Sequence, residues 1–151
     1  MSDGWFWFAN LIEYEELSYQ AWVKTGQSRY RDKIGARDRE IEQAMEEYEF
    51  PDLRGRWHLL KGHLGIEDAL SSEDHTGLPV ALEHYKVGFT QIARGFVGSH
   101  GAAAIPREFE RFGELFRRLP LDTQAQWQEG LRRAWREADA TSLLARLGEL
   151  F

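Results

Sequence analysis

The chain has 151 residues, no cysteine, and a net charge of −6 with a pI near 5.4. That length suits one domain with its own core, and the lack of cysteine removes disulfides and thiolate metal sites while remaining compatible with a reducing cytoplasm. The acidic balance disfavours a general nucleic-acid-binding surface, and the apolar start from Trp5 to Phe8, interrupted by Asn10, Glu13, Glu15 and Glu16, reads as neither signal peptide nor membrane span.

In chain order the pattern predicts helices and no strands, since no alternating β-branched run of useful length occurs. Residues 4–24 read as a first helix, with Leu11, Tyr14, Leu17 or Ser18, and Trp22 near helical spacing and Gly26 as the stop. Ser28 reads as the N-cap of a second helix reaching Tyr48, which carries Tyr30, Ile34, Ile41, Ala44 and Met45 and is ended by Pro51. In a third, Leu53, Trp57, Leu60 and Leu64 recur at steps of four, three and four and share one stripe. The polar run Ser71 to Gly77, followed by Pro79, breaks the pattern before a fourth helix carrying Ala81, Tyr85, Phe89, Ile92 and Phe96. The economical arrangement is two antiparallel helices packed face to face. Gly62, Ala81 and Gly88 would allow close approach, with Trp57 and Tyr85 filling the volume between.

A loop, Gly98-Ser99-His100-Gly101, then precedes a fifth helix with Pro106 at its first position and Phe109, Phe112, Phe116 and Leu119 as its buried stripe. Pro120 closes it. Asp122 or Thr123 caps a sixth helix, in which Trp127, Leu131, Trp135 and Ala138 align, and Thr141 to Phe151 forms a short terminal helix. Glu129, four residues before Arg133, is placed for a stabilising helix pair, so the cluster Arg117, Arg118, Arg132, Arg133 and Arg136 reads as mostly structural. The acidic run Glu40, Glu42, Glu46, Glu47 and Glu49 reads as a solvated face.

Trp57, Leu60, Ala81 and Tyr85, with Pro51 six residues before Trp57, stand at signature positions of a tetratricopeptide repeat, and the hairpin resembles one unit of that family. It departs from the pattern at Lys61, which holds the glycine position, at Leu64, which replaces the first Tyr, and in a linker several residues longer than the family's. The first two helices resemble a diverged unit of the same kind. The overall texture is similar to the tetratricopeptide-like tails of bacterial signal-transduction and conflict-system NTPases. The resemblance implies a single all-α domain over residues 1–151, with a diverged hairpin over 1–50, a tetratricopeptide-like hairpin over 51–98 and capping helices over 99–151, about six to seven helices in all. It further implies a non-catalytic interaction or sensor module of the cytoplasm, with no cofactor, metal, membrane or nucleic-acid role, whose partner is a protein or peptide segment or the rest of a larger multidomain protein. Two hairpins are few for such an array. Either the later helices supply the missing packing, or the chain is the end of a longer array that covers the aromatics from Trp5 to Phe8.

In tetratricopeptide arrays the first helix of each hairpin lines the concave face. The resemblance therefore places partner binding on Arg54, Arg56, His58, Lys61 and Glu67, with Glu13, Glu16 and Gln20 on the first helix. Reversing the charge of Arg56 and Lys61 is expected to weaken binding without loss of helicity. The rival reading is a small effector or enzyme using His63, Glu67, His84 or His100 in a groove; convergence of three polar groups in one pocket favours it and dispersal opposes it. His63 and Glu67 lie one helical turn apart and can face one ion, but two ligands do not make a site, and His58 is about 140° around the helix from His63. Solvated or capping histidines are the plainer account. Ser99 beside His100 lacks the strand-to-helix elbow of a hydrolase serine, and no glycine-rich phosphate loop occurs.

Overall fold

The computed structural model describes residues 3–95 and 99–150, and the side chains of residues 4–93 and 106–149. The described residues form eight helices and no strand, an all-α fold: α1 (Asp3–Thr25), α2 (Ser28–Lys33), α3 (Asp38–Glu47), α4 (Pro51–Ser72), α5 (Leu78–Gly95), α6 (Ser99–Phe116), α7 (Leu121–Glu137) and α8 (Thr141–Leu150). No helix among them is long and apolar enough to cross a membrane.

Pro51 opens α4 at the position where a missing N–H costs nothing, and Glu73 closes it in the left-handed conformation at φ 61°. The helix is enclosed on several sides, by α1, by α5 and by α6. Its closest neighbour is α5, and the pairing runs antiparallel: Gly55 faces Ile92, Leu59 faces Gly88, Gly62 faces Tyr85 and Gly65 faces Ala81. A Cβ added at Gly62 would lie 2.9 Å from the Tyr85 ring, and one at Gly88 would lie 2.9 Å from Leu59. Small residues therefore do set the helix spacing, and Gly55 and Gly65 join those expected to.

Trp57 is placed differently from the expectation. It packs with Leu53 against Phe8, Ile12, Ile41 and Ala44 of α1 and α3, while Leu60 and Leu64 meet Tyr19 and Ile34. The face turned to α5 is instead Leu59, Ile66 and Ala69, which joins Ala81, Tyr85, Phe89 and Ile92 in the largest core cluster. Phe96 lies outside the described residues.

The second helix is split. Gly35, at φ +93°, separates α2 from α3 in a conformation that excludes most side chains, and the Glu15 carboxylate accepts the Gly35 N–H at 2.7 Å. The same carboxylate forces a second correction. Phe8, Ala9, Leu11, Ile12, Glu15, Ser18 and Tyr19 are the buried positions of α1 among the described residues, whereas Tyr14 and Leu17 are exposed. Trp5 and Phe8 do fold onto the core, but Phe6 and Trp7 remain exposed.

Beyond α5, residues 99–101 are the first turn of α6, not a loop, and Pro106 lies inside that helix. Ala102, Ala103 and Ala104 are strong helix formers, and they carry the helix across the one hydrogen bond that Pro106 cannot donate. Phe109, Phe112, Phe116 and Leu119 are buried as expected, with Leu115 beside them, and Trp127, Leu131 and Trp135 of α7 complete this core. Leu121 begins α7 after Pro120, so Asp122 and Thr123 sit in its first turn, where the Asp122 carboxylate accepts the Thr123 N–H at 2.9 Å. Glu129 meets Arg132 at 3.5 Å and Arg133 at 4.0 Å, both exposed pairs of small energetic weight.

Candidate functional site

Three helices turn polar stripes toward a common cleft. Glu16, Tyr19, Gln20 and Val23 share one face of α1, Arg56, His63 and Glu67 one face of α4, and Arg107, Glu108 and Arg111 one face of α6. Between them lies a cavity of about 290 Å³ bounded by Tyr19, Gln20, Val23, Lys24, His63, Arg107, Glu108 and Arg111. It shares His63 and Glu108 with a space of about 60 Å³ beside Glu16 and Arg56, and Val23 and Arg111 with one of about 300 Å³ beside Trp22, Glu67 and Arg118.

The walls are bound to one another. Arg56 pairs with Glu16 across α4 and α1. Arg111 donates to the Tyr19 hydroxyl at 2.9 Å and to Glu67 at 3.1 Å, and pairs with Glu114 at 3.3 Å, tying α6 to both other helices. His63 is buried, with Nε2 2.8 Å from the Glu108 carboxylate and Nδ1 2.7 Å from the Tyr85 hydroxyl, and its ring stacks on Tyr19. Burial drives the Tyr19 hydroxyl up to about 12, against the pull of Arg111, and drives Tyr85 up as well. Burial also pushes Glu108 upward, but its hydrogen bond to His63 and the charges of His63, Arg107 and Arg56 outweigh this and hold it below the usual carboxylate range. Both tyrosines thus keep their protons near neutral pH, while Glu108 is ionised.

Lys24 and Arg107 differ from Arg56 and Arg111, which are ion-paired, and share their freedom with Arg118 at the far extension. Both are exposed, and neither makes a hydrogen bond or ion pair among the described residues.

A second polar cluster lies on the opposite side of α4. Asp38 accepts the Trp57 indole N–H at 3.2 Å and pairs with Lys61. Beside it Glu15 is fully buried; one carboxylate oxygen receives the Gly35 N–H, and the other has no donor. Burial, with Asp38 close by, raises Glu15 to about 7. A proton on the free oxygen, shared toward Asp38, satisfies both groups.

The eight residues expected on one concave face do not share a surface, because neighbours surround α4 and its polar positions point apart. Arg56, Glu16, Gln20 and Glu67 line the cleft or its two extensions. Arg54 instead donates to the carbonyls of Met45 and Tyr48 at the end of α3, Lys61 is held by Asp38, and Glu13 is exposed on α1. His58 points to α5, where its Nδ1 lies 3.0 Å from that of His84. Burial lowers both imidazoles, His58 to about 4, and the contact needs one neutral donor and one neutral acceptor.

His63 and Glu67 do not converge on a shared point, since one goes to Glu108 and Tyr85 and the other to Arg111. The expectation of a solvated or capping role fails for His63, which is among the most buried polar groups of the chain's described part. Among the described residues no three His, Asp or Glu side chains are placed to hold one metal ion. The side chains of Ser99 and His100 lie outside the described residues.

Tyr19, Lys24, Arg107, Glu108 and Arg111 escaped the sequence reading. Arg107, Glu108 and Arg111 follow Pro106 at helical spacing, a legible pattern only once that helix is known to face α1 and α4. Comparison with family models, with curated proteins and with solved structures finds no match for this chain.

Proposed function

We propose that this chain is a non-catalytic binding module, tetratricopeptide-like in its α4–α5 unit, that takes up a protein segment in the cleft between α1, α4 and α6. The observation that carries the reading is the saturation of the cleft's reactive groups beside unpaired cations. Polar groups do converge in one cavity, which favours the rival enzyme. Yet both ring nitrogens of His63 are held by protein partners, so it has none to offer a substrate proton. Tyr19 is fixed by Arg111, and Glu67 is paired with the same guanidinium. A wall so cross-linked is rigid and preorganised, which lowers the entropy lost when a segment docks.

Lys24, Arg107 and Gln20 supply the groups free to meet a ligand's carboxylates and amides. The cleft follows α1 from Glu16 to Gly26, about 15 Å at helical rise, which an extended segment spans with about four to five residues.

Arg56 and Lys61 no longer suit a binding test, because each is ion-paired and its reversal would disturb packing. The test moves to Lys24 and Arg107. Panning a random heptapeptide library against the intact chain should enrich a defined set of sequences, and Lys24→Glu with Arg107→Glu should weaken the selected peptides at least tenfold with circular dichroism unchanged. A library that enriches nothing, or peptides indifferent to the double reversal, would remove the cleft as the binding site.

A further inference from the structure

Within the cleft, the central cavity has a chemistry of its own. We infer that it binds a small organic anion, a compound with one acidic group and an apolar one-ring or short-chain body.

The charge of the cavity sets the sign of the ligand. Lys24 and Arg107 face it without an ion-pair partner among the described residues, against one carboxylate, Glu108; Arg111 also lines it, with its charge met by Glu67 and Glu114. Glu108 is already hydrogen-bonded to His63 and lies within the field of Arg56 and Arg107, so it presents little unneutralised charge. Lys24 and Arg107 have no hydrogen-bond or ion-pair partner among the described residues, and an acid that meets them gains charge-assisted hydrogen bonds without breaking any there. In a chain of net charge −6 this is a local reversal of sign.

The body of the ligand follows from the remaining wall. Val23, 42% exposed, lines the cavity with the buried Tyr19. The aliphatic stems of Lys24 and Arg107 extend this surface while their charged ends stay wet. A fully polar anion such as phosphate would leave that surface uncovered. The volume of about 290 Å³ lies at the small end of ligand pockets, which typically run from roughly 300 to 1,000 Å³, and so it limits the body to a single ring or a short chain. Tyr19, His63 and Arg111 are locked to one another, so the site is preformed.

This inference does not require segment binding, and the two fail separately. A peptide selection that enriches nothing leaves the cavity's chemistry untouched, and an empty cavity leaves a docked segment possible along the rim.

The probes are 4-phenylbutyrate and its neutral isostere 4-phenylbutanamide, titrated into the intact chain and followed by amide chemical shifts. The acid should saturate with one-to-one stoichiometry, with its largest shifts at Tyr19, Val23, Lys24 and Arg107, and should bind at least tenfold more tightly than the amide. Lys24→Gln with Arg107→Gln, a change that breaks no ion pair, should abolish that preference while leaving the spectrum folded. Equal binding of acid and amide overturns the proposal. So does the absence of saturable shifts up to 10 mM acid, or competition by inorganic phosphate as strong as that of 4-phenylbutyrate, which marks a site for any small anion.

Discussion

Glu15 shows how a single buried acid can mislead a reading of periodicity and still organise a fold. The buried face of α1 runs through Phe8, Ile12, Glu15 and Tyr19, but an ionisable residue in that stripe points a hydrophobicity pattern toward Tyr14 and Leu17 instead. The same carboxylate accepts the Gly35 N–H and so fixes the break between α2 and α3, which the pattern read as one continuous helix. With the folded-state value near 7, above the ordinary 4.5, the stability contributed by the Glu15 proton is complete below about pH 4.5 and is lost as pH rises through 7. Glu15→Gln keeps an acceptor for Gly35 and places a permanent donor toward Asp38. Urea melts should therefore show the variant more stable than wild type at pH 8, by roughly 1–3 kcal/mol, with the gap closing toward pH 4.5. Tyr85→Phe tests the cleft wall in the same way. Removing the hydroxyl leaves His63 Nδ1 buried without a partner, and denaturation should report a loss of about 1–3 kcal/mol.

At the scale of elements, α4 explains which parts of the fold were legible. Its stripe of Leu53, Trp57, Leu60 and Leu64 is buried as the spacing demands, and Trp57→Ala should cost about 3–5 kcal/mol as a large-to-small core change. Of the second buried face, through Gly55, Leu59, Gly62 and Ile66, only Gly62 is legible beforehand, since glycine carries no hydrophobic signal and its role depends on α5 opposite. Trp57 accordingly turns most of its ring to α1 and α3 and meets α5 only edge-on, at His84. Helix propensity and packing make opposite demands here. Gly55→Ala should destabilise by about 1–3 kcal/mol despite alanine's better propensity, because its Cβ would meet Ile92 and lie 2.8 Å from the Gly88 carbonyl. Gly148→Ala in α8, whose Cβ would meet nothing within 4 Å, should instead stabilise by about 0.5 kcal/mol. Thermal unfolding of the two variants side by side checks both signs. The misplaced start of α6 has a different cause: Pro106 was read as a helix opener, whereas the alanines before it extend the helix upstream.

The whole molecule joins an α1–α3 layer to an α5–α8 layer through α4, and the cleft opens where α6 crosses back toward α1. No stretch of sequence announces that site, because Tyr19, His63 and Arg111 lie 44 and 48 residues apart and only the fold brings them together. Charge was legible in sum but not in place. The chain is acidic in sum, yet the unpaired charges of the cleft among the described residues are the cations Lys24, Arg107 and Arg118. A segment bound in this cleft, and not on the exposed apolar face of α1, is detectable by hydrogen–deuterium exchange of the intact chain with a library-selected peptide. Added protection should appear in residues 16–26 and 106–118 together, on the two helices that flank the cleft. Protection confined to the stretch from Phe6 to Leu17, or to the outer positions Val80 and Val87 of α5, would contradict it.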